Sequence, residues 1–394
     1  MSTPWESVVV AVSLFATMAA YALFAGADFG GGIWDLLAGR TETGKQPRAA
    51  IDASVTPVWE GNQVWIVLGF VLVFTAYPTA FAAIMTSLFV PLSLSLLGIL
   101  LRGIGFAFRH ETERLRTTQL SGVLFAASSV LAPFFLGTVV GAVTTGRVRT
   151  STEGNVPSAW LTPTALLSGL LFVVTCAYIG GVYLVGDSHQ RGDQDMVRYF
   201  SRRAVGAGVL TGLLAAVNIF FLRSSAPYVF HRLVGVALPL VIVSVVAGGA
   251  ALVLIVLRRV WLLRIAAAIA VTAVVAAWGV AQYPYLLPGT LTLAEGSAPV
   301  ASLRSELVVM VLAALLVVPS FAYLYWLQQH GQLEVTESSQ ELERAVAAET
   351  AATMPAPDSR RDRHGHPVVT TVVVGAAVLE LARDAAGWAR RRRR

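Results

Sequence analysis

Cysteine occurs once in this chain, at Cys176 inside an apolar stretch, so the sequence offers neither a disulfide framework nor a thiolate metal site. Charge is scarce as well. Asp, Glu, Lys and Arg make up 13% of the residues, against 56% that are hydrophobic. No soluble core needs that much apolar surface. Histidine is missing where a membrane haem requires it. His110, His189, His231, His330, His364 and His366 fall in loops, at the ends of apolar stretches or in the tail, whereas haem iron in membrane helices is usually held by mid-span histidines. The sequence therefore predicts no haem ligated by this chain. Met18, Met85 and Met310 lie within spans, where a lone methionine is ordinarily packing. Clustered carboxylates of the metal-binding kind are absent too.

What is present is a series of long charge-free runs. Gly61 to Leu101 covers 41 residues without one Asp, Glu, Lys or Arg. That is about twice the ~20 residues one helix needs to cross the hydrocarbon core. Tyr77-Pro78 falls near its middle, so the run reads as a transmembrane hairpin. Ser7–Ala27 precedes it, and Thr117–Gly146, Gly154–Gly186, Ala204–Leu222, Leu233–Leu257, Ile265–Ala294 and Leu307–Leu333 follow. With the hairpin counted as two, the expectation is an all-α polytopic membrane protein of about nine transmembrane helices. The first stretch lacks the basic flank of a signal peptide, its early charge being Glu6.

Basic residues set the expected orientation. With the N-terminus outside, the inner loops carry Arg40, Lys45, Arg48, Arg109, Arg114, Arg116, Arg191, Arg198, Arg202, Arg203, Arg258, Arg259 and Arg264. The outer loops carry Arg147, Arg149, Arg223, Arg232 and Arg304. This bias places the C-terminus in the cytoplasm. It also accounts for most of the +6 net charge, so no nucleic-acid partner is implied. Residues 1–330 form the membrane domain. The polar 331–394 tail is expected to be cytoplasmic and largely disordered, with a short membrane-surface helix at 367–389 ahead of Arg390–Arg394. No internal repeat is evident.

Chemistry concentrates near one end of the early spans. Pro57-Val-Trp59-Glu60-Gly-Asn62-Gln63-Val-Trp65 opens the second span with a carboxylate between two tryptophans. Gly26-Ala-Asp28-Phe-Gly30-Gly31-Gly32 closes the first, and its glycines permit either close helix approach or a local break. Arg102 and Arg109 close the third. Asp28, Glu60 and Arg102 should thus share one cytoplasmic depth. Ionisable groups there are costly and are functional candidates, with partly desolvated carboxylates able to exchange protons near neutrality. Alternatively the carboxylates pair with Arg102 or cap helix ends. The aromatic residues Trp5, Trp65, Trp160, Trp278, Tyr283, Tyr285 and Trp326 mostly fit an interfacial belt. On these residues alone, a proton-coupled secondary transporter and a respiratory subunit both remain open.

At these same residues the sequence resembles subunit II of the cytochrome bd-type quinol oxidases. Gly26, Asp28, Gly30 and Gly32 match that family's first-span motif. The Pro57–Trp65 segment, the Tyr77-Pro78 turn, the Arg102-Gly-Ile-Gly-Phe106-Ala-Phe108-Arg109 ending and Tyr283-Pro284-Tyr285…Pro288 are similar to its later motifs. Two positions depart from the pattern. Glu60 stands where the family usually has Asp, and Ala107 where it commonly has an acidic residue.

The resemblance implies a non-haem-ligating subunit of an electrogenic oxidase, in which membrane quinol is oxidised and dioxygen reduced to water. Haem b and haem d, or a b-type replacement, would sit in the partner subunit I. It further implies a heterodimer in the bacterial cytoplasmic membrane, surrounded by lipid and open to a small accessory subunit. Glu60 and Asp28 would conduct protons from the cytoplasm. Trp59, Asn62, Trp65, Arg102 and Arg109 would support that entrance.

Overall fold

The computed structural model describes residues 3–39, 42–55, 59–111, 115–150, 154, 156–257 and 259–329. They build an almost wholly helical chain, in the order α1 (Trp5–Ala38), α2 (Glu42–Val55), α3 (Trp59–Ala76), α4 (Pro78–Ser87), α5 (Phe89–Glu111), α6 (Leu115–Thr144) and α7 (Pro157–Trp160). There follow α8 (Pro163–Gln190), α9 (Gln194–Ser225), α10 (Pro227–Leu233), α11 (Leu238–Val256) and α12 (Val260–Gln282). A two-stranded antiparallel ribbon, β1 (Tyr285–Leu287) and β2 (Leu291–Thr292), leads into α13 (Leu293–Gly296) and α14 (Val300–Gln329). The chain divides into two compact units, 1–314 and 315–394. Of the second, the end of α14 is described, and the tail expectations for 331–394 and 367–389 lie outside the described residues.

Local sequence explains where the helices begin. Proline at the first helical position of α4, α7, α8 and α10, and at the second of α11, gives up an amide that would be orphaned anyway. Thr162 caps α8 by accepting from the Ala165 amide, and Asp193 caps α9 by accepting from the amides of Asp195 and Met196. Apart from a few charges such as Asp28 and Arg102, the long helix interiors are apolar around the whole circumference, as membrane-spanning helices are.

Among the described residues, seven helices are long and apolar enough to cross a membrane, or eight if one bent pair is counted as a span. This multi-pass architecture agrees with the sequence, but the expected count of nine is not reached on that measure. The charge-free run 61–101 holds α3, α4 and the start of α5: at Tyr77 the chain bends by 118° into the ten-residue α4 and then continues as the 23-residue α5, of which Phe89–Gly105 is the apolar part among the described residues. The two halves also separate, α3 running along α1 while α5 runs along α6.

Two apolar cores share α1 as their common wall. One gathers the later part of α1 with α8, α9 and α12, around Ile179, Val182, Phe200 and Leu263. The other gathers the start of α1 with α3, α4, α6 and the β1–β2 region, around Val10, Leu72, Tyr77 and Leu287. The first unit's hydrogen bonds tie chain ends together here: the Tyr77 hydroxyl donates to the Ser7 carbonyl (2.6 Å), the Ala298 amide to the Ala76 carbonyl (2.8 Å), and the hydroxyls of Ser7 and Ser297 meet at 2.6 Å.

Candidate functional site

The glycine-rich segment of α1 does not break the helix, which continues to Ala38. It permits close approach instead. A Cβ on Gly30 would lie 2.0 Å from the Cys176 carbonyl oxygen, and one on Gly180 would lie 2.6 Å from the Gly30 backbone. Thus α1 and α8 meet backbone to backbone through small residues, as transmembrane helices commonly do. Trp34, one turn on, donates its indole N–H to the Ala177 carbonyl at 2.8 Å. Gly32 serves another neighbour: a Cβ there would sit 1.9 Å from Ser129 Oγ on α6.

This crossing holds Asp28 inside the protein, 3% exposed, facing an equally buried Arg102 (1%) from α5. The guanidinium forms a two-pronged pair. Nε donates to Oδ2 at 2.7 Å and Nη2 to Oδ1 at 2.6 Å. Nη2 also donates to the Asp28 backbone carbonyl at 2.7 Å, and Nη1 to Ser129 Oγ at 2.6 Å. The Phe29 ring lies 5.1 Å below the guanidinium carbon. Such a parallel fork is the strong geometry for an arginine–carboxylate pair, and only arginine supplies it. Burying one of these charges without the other would be severely unfavourable. Chemically, the cluster is a clamp binding α1, α5 and α6, in which each carboxylate oxygen accepts from the guanidinium.

The structure therefore brings together Asp28 and Arg102, which the sequence placed at one depth. Trp65, on α3, stacks nearly parallel (5°) on Phe24 of α1 with ring centres 6.0 Å apart. Trp59 and Glu60 open α3. The side chains of Trp59, Glu60, Asn62 and Arg109 lie outside the described residues.

Other partners were hidden from the sequence reading. Ser129, Cys176 and Gly180 carry no charge signal, and their part in the clamp follows from helix packing alone. Arg264 and Arg304, which charge counting assigned to loops, stand within α12 and α14. Arg264 pairs with Asp187 of α8 and also donates to the Tyr183 carbonyl at 3.1 Å. Arg304 pairs with the buried Glu6 at 3.0 Å. Both corrections have one cause: a charge-free window ends at the first ionised residue, whereas a helix continues past a charge that finds a partner.

The family model described as "Cytochrome bd terminal oxidase subunit II" matches residues 6–328. The chain belongs to this family. The match takes in every element of the clamp, from Asp28 through Arg102 and Ser129 to Gly180. Among relatives, cytochrome bd-I ubiquinol oxidase subunit 2 of Escherichia coli (strain K12) is 29% identical over 182 residues, covering 43% of this chain and 47% of that protein. Cytochrome bd ubiquinol oxidase subunit 2 of Bacillus subtilis (strain 168) is 24% identical over 173 residues, or 42% of this chain and 50% of the other. In both cases the alignment spans about half of the relative. A longer match, 24% over 319 residues, covers 78% of this chain and 90% of a putative cytochrome bd menaquinol oxidase subunit II from the same Bacillus. In fold, the chain resembles a chain of the bd oxidase from Geobacillus thermodenitrificans, with a TM-score of 0.67 at 23% identity, covering 82% of this chain and 98% of that one.

Proposed function

We propose that this chain is subunit II of a respiratory quinol:dioxygen oxidoreductase and that it works beside a haem-bearing subunit I in a bacterial cytoplasmic membrane. The observation that carries this reading is the family match over 6–328, which includes the buried Asp28–Arg102 clamp. The haems b and d, or a b-type replacement, belong in this reading to subunit I. Among the described residues, His110 falls in the last turn of α5, His189 near the end of α8 and His231 in the short α10.

In this reading subunit II holds the assembly together and brings cytoplasmic protons toward the site of dioxygen reduction. Glu60, at the start of α3, is the proposed carrier, with Asn62 and Trp65 shaping its surroundings. Asp28 takes part through its pair, with both carboxylate oxygens accepting from Arg102. The basic bias of the loops supports an orientation with the N-terminus outside, which puts Glu60 on the cytoplasmic side.

The deciding experiment is purification from the native membrane under mild detergent, with a reduced-minus-oxidised visible spectrum and identification of the co-purifying chains. Haem bands together with a histidine-bearing membrane partner are expected. A solitary, haem-free protein that transports a solute with protons would overturn the assignment.

A further inference from the structure

Three arginines converge in the first turns of α9. Arg198, Arg202 and Arg203, with Asp195 and Tyr199, line an open cavity of about 300 Å³. Their engagement is uneven. Arg198 pairs with Asp195 at 2.5 Å, both side chains well exposed. Arg203 donates Nη1 to the Tyr199 carbonyl at 3.3 Å, and its guanidinium carbon stacks 3.4 Å from the centre of the Tyr199 ring. That contact fixes the plane of the guanidinium and uses one of its five N–H groups. Arg202 is exposed and has no hydrogen bond or ion pair among the described residues. Arg198 and Arg202 also stand four positions apart on one helix face, a like-charge spacing that destabilises a helix, and an anion beside them relieves it. The general bias of basic residues toward the cytoplasmic side explains why arginines stand at this end of α9. It does not explain why three of them share one cavity.

The helix face below them has the opposite character. Residues 204–222 carry no charge, and Val209, Leu213 and Phe220 are 48%, 59% and 70% exposed. They follow Arg202 by seven, eleven and eighteen positions, which at 3.6 residues per turn sets all four on one face of α9. Gly206, one turn from Arg202, has open space where a side chain would stand. From Arg202 to Leu213 the helix rises about 16 Å, half of a hydrocarbon core of roughly 30 Å. One continuous stripe thus carries positive charge at its head and an apolar track one leaflet deep.

We propose that this stripe binds one anionic phospholipid, with its phosphate between Arg202 and Arg203 and an acyl chain along Gly206, Val209 and Leu213. Guanidinium groups hold phosphate oxygens through charge-assisted, often two-pronged bonds. Asp195 keeps Arg198 engaged, which leaves Arg202 and Arg203 as the donors for the phosphate. The occupant follows from the two halves taken together. A neutral quinol brings no charge to the arginines. A free phosphate or an acidic protein segment meets the arginines but makes no use of the apolar track beneath. An anionic lipid satisfies both. In the orientation proposed above this is the cytoplasmic leaflet, and the site itself is independent of the role given to Glu60.

The test is photo-crosslinking of the native assembly, reconstituted in phosphatidylcholine vesicles. These contain a trace of phosphatidylglycerol or of phosphatidylcholine bearing a diazirine on its acyl chain, and labelled peptides are mapped by mass spectrometry. The phosphatidylglycerol probe should label 206–213 several-fold more strongly than the phosphatidylcholine probe. Arg202→Gln/Arg203→Gln should lower that labelling about tenfold, the scale on which a pair of basic residues attracts anionic lipid. Arg223→Gln, in the last turn of α9, should leave it unchanged. Added inorganic phosphate should not compete, because it lacks the acyl chain. Equal labelling by the two probes, labelling indifferent to the double substitution, or displacement by free phosphate would overturn the proposal. If the double variant fails to assemble, the comparison of the two probes on wild-type protein decides.

Discussion

Arg102 holds Asp28 through two parallel hydrogen bonds of 2.7 and 2.6 Å, joining α5 to α1 across 74 positions of sequence. Neither residue touches water to any extent, so the pair behaves as one neutral unit. Its first consequence is asymmetric. Arg102→Leu leaves the Asp28 carboxylate buried and unpaired, which should cost about 3–5 kcal/mol, while Asp28→Asn/Arg102→Gln together should cost less than the sum of the two single changes. Thermal unfolding of the purified assembly checks this. Additive losses would show that the two side chains are not energetically coupled.

The glycines at the α1–α8 crossing are predicted to differ sharply. Gly30→Ala and Gly180→Ala place a methyl group against backbone, within 2.0 and 2.6 Å respectively. Each should destabilise by about 1–3 kcal/mol or block assembly, because neither helix can withdraw without breaking the Trp34–Ala177 bond. Gly26→Ala, whose nearest neighbour is Ile179 at 3.8 Å, should be tolerated. Membrane yield and melting temperature of the three variants, measured side by side, decide the matter.

Glu60→Gln should lower oxygen consumption and potential generation of the intact complex by roughly 10²-fold, the scale on which a positioned proton-transfer group acts. Glu60→Asp, which keeps the carboxylate and shortens its reach by one methylene, should keep most of the activity. Full turnover and full potential in an assembled Glu60→Gln complex would remove Glu60 from the proton route.

A separate pH effect should appear at the β1–β2 ribbon. Thr292 and Glu295 form a capping box at α13, and the Thr292 backbone amide and hydroxyl hold the exposed Glu295 carboxyl below its ordinary value of 4.5. A carboxyl whose folded value is depressed stabilises the fold above the ordinary value, and that contribution is lost as pH falls through the folded value. Amide exchange at Thr292 and Glu295 should therefore quicken as pH drops below about 4.5, after correction for the intrinsic rate. Glu295→Gln should abolish the change.

Much of this was legible in the sequence because membrane insertion writes itself in long apolar runs. The shared depth of Asp28 and Arg102 was readable for the same reason, since a charge stands out against such runs. Two things were not readable. Tyr77-Pro78 announces a break, but nothing in the apolar composition around it reveals the short, sharply bent α4 that stands between α3 and α5. Contacts made by absence of side chain, such as Gly30 on Gly180 and Gly32 on Ser129, depend on which faces meet, and a single sequence does not encode that pairing in any local signal. Arg264 and Arg304 show the complementary failure: a paired charge looks the same as a solvated one until Asp187 and Glu6 are seen beside them.

The elbow at Tyr77 has a bearing on biogenesis. Its hydroxyl is anchored to Ser7, the adjoining Ala76 carbonyl to Ala298, and Ser7 to Ser297, 290 positions later. A ribosome adding 5–20 residues per second needs roughly 15–60 s to cover that interval. During that time the earliest helices sit in the bilayer with this face unlatched, and the closing residues arrive only after α12. A nascent chain that stops after α12 carries most of the apolar helices yet lacks the bolt that secures the first of them, which gives quality-control proteases a long interval in which to recognise an unfinished subunit.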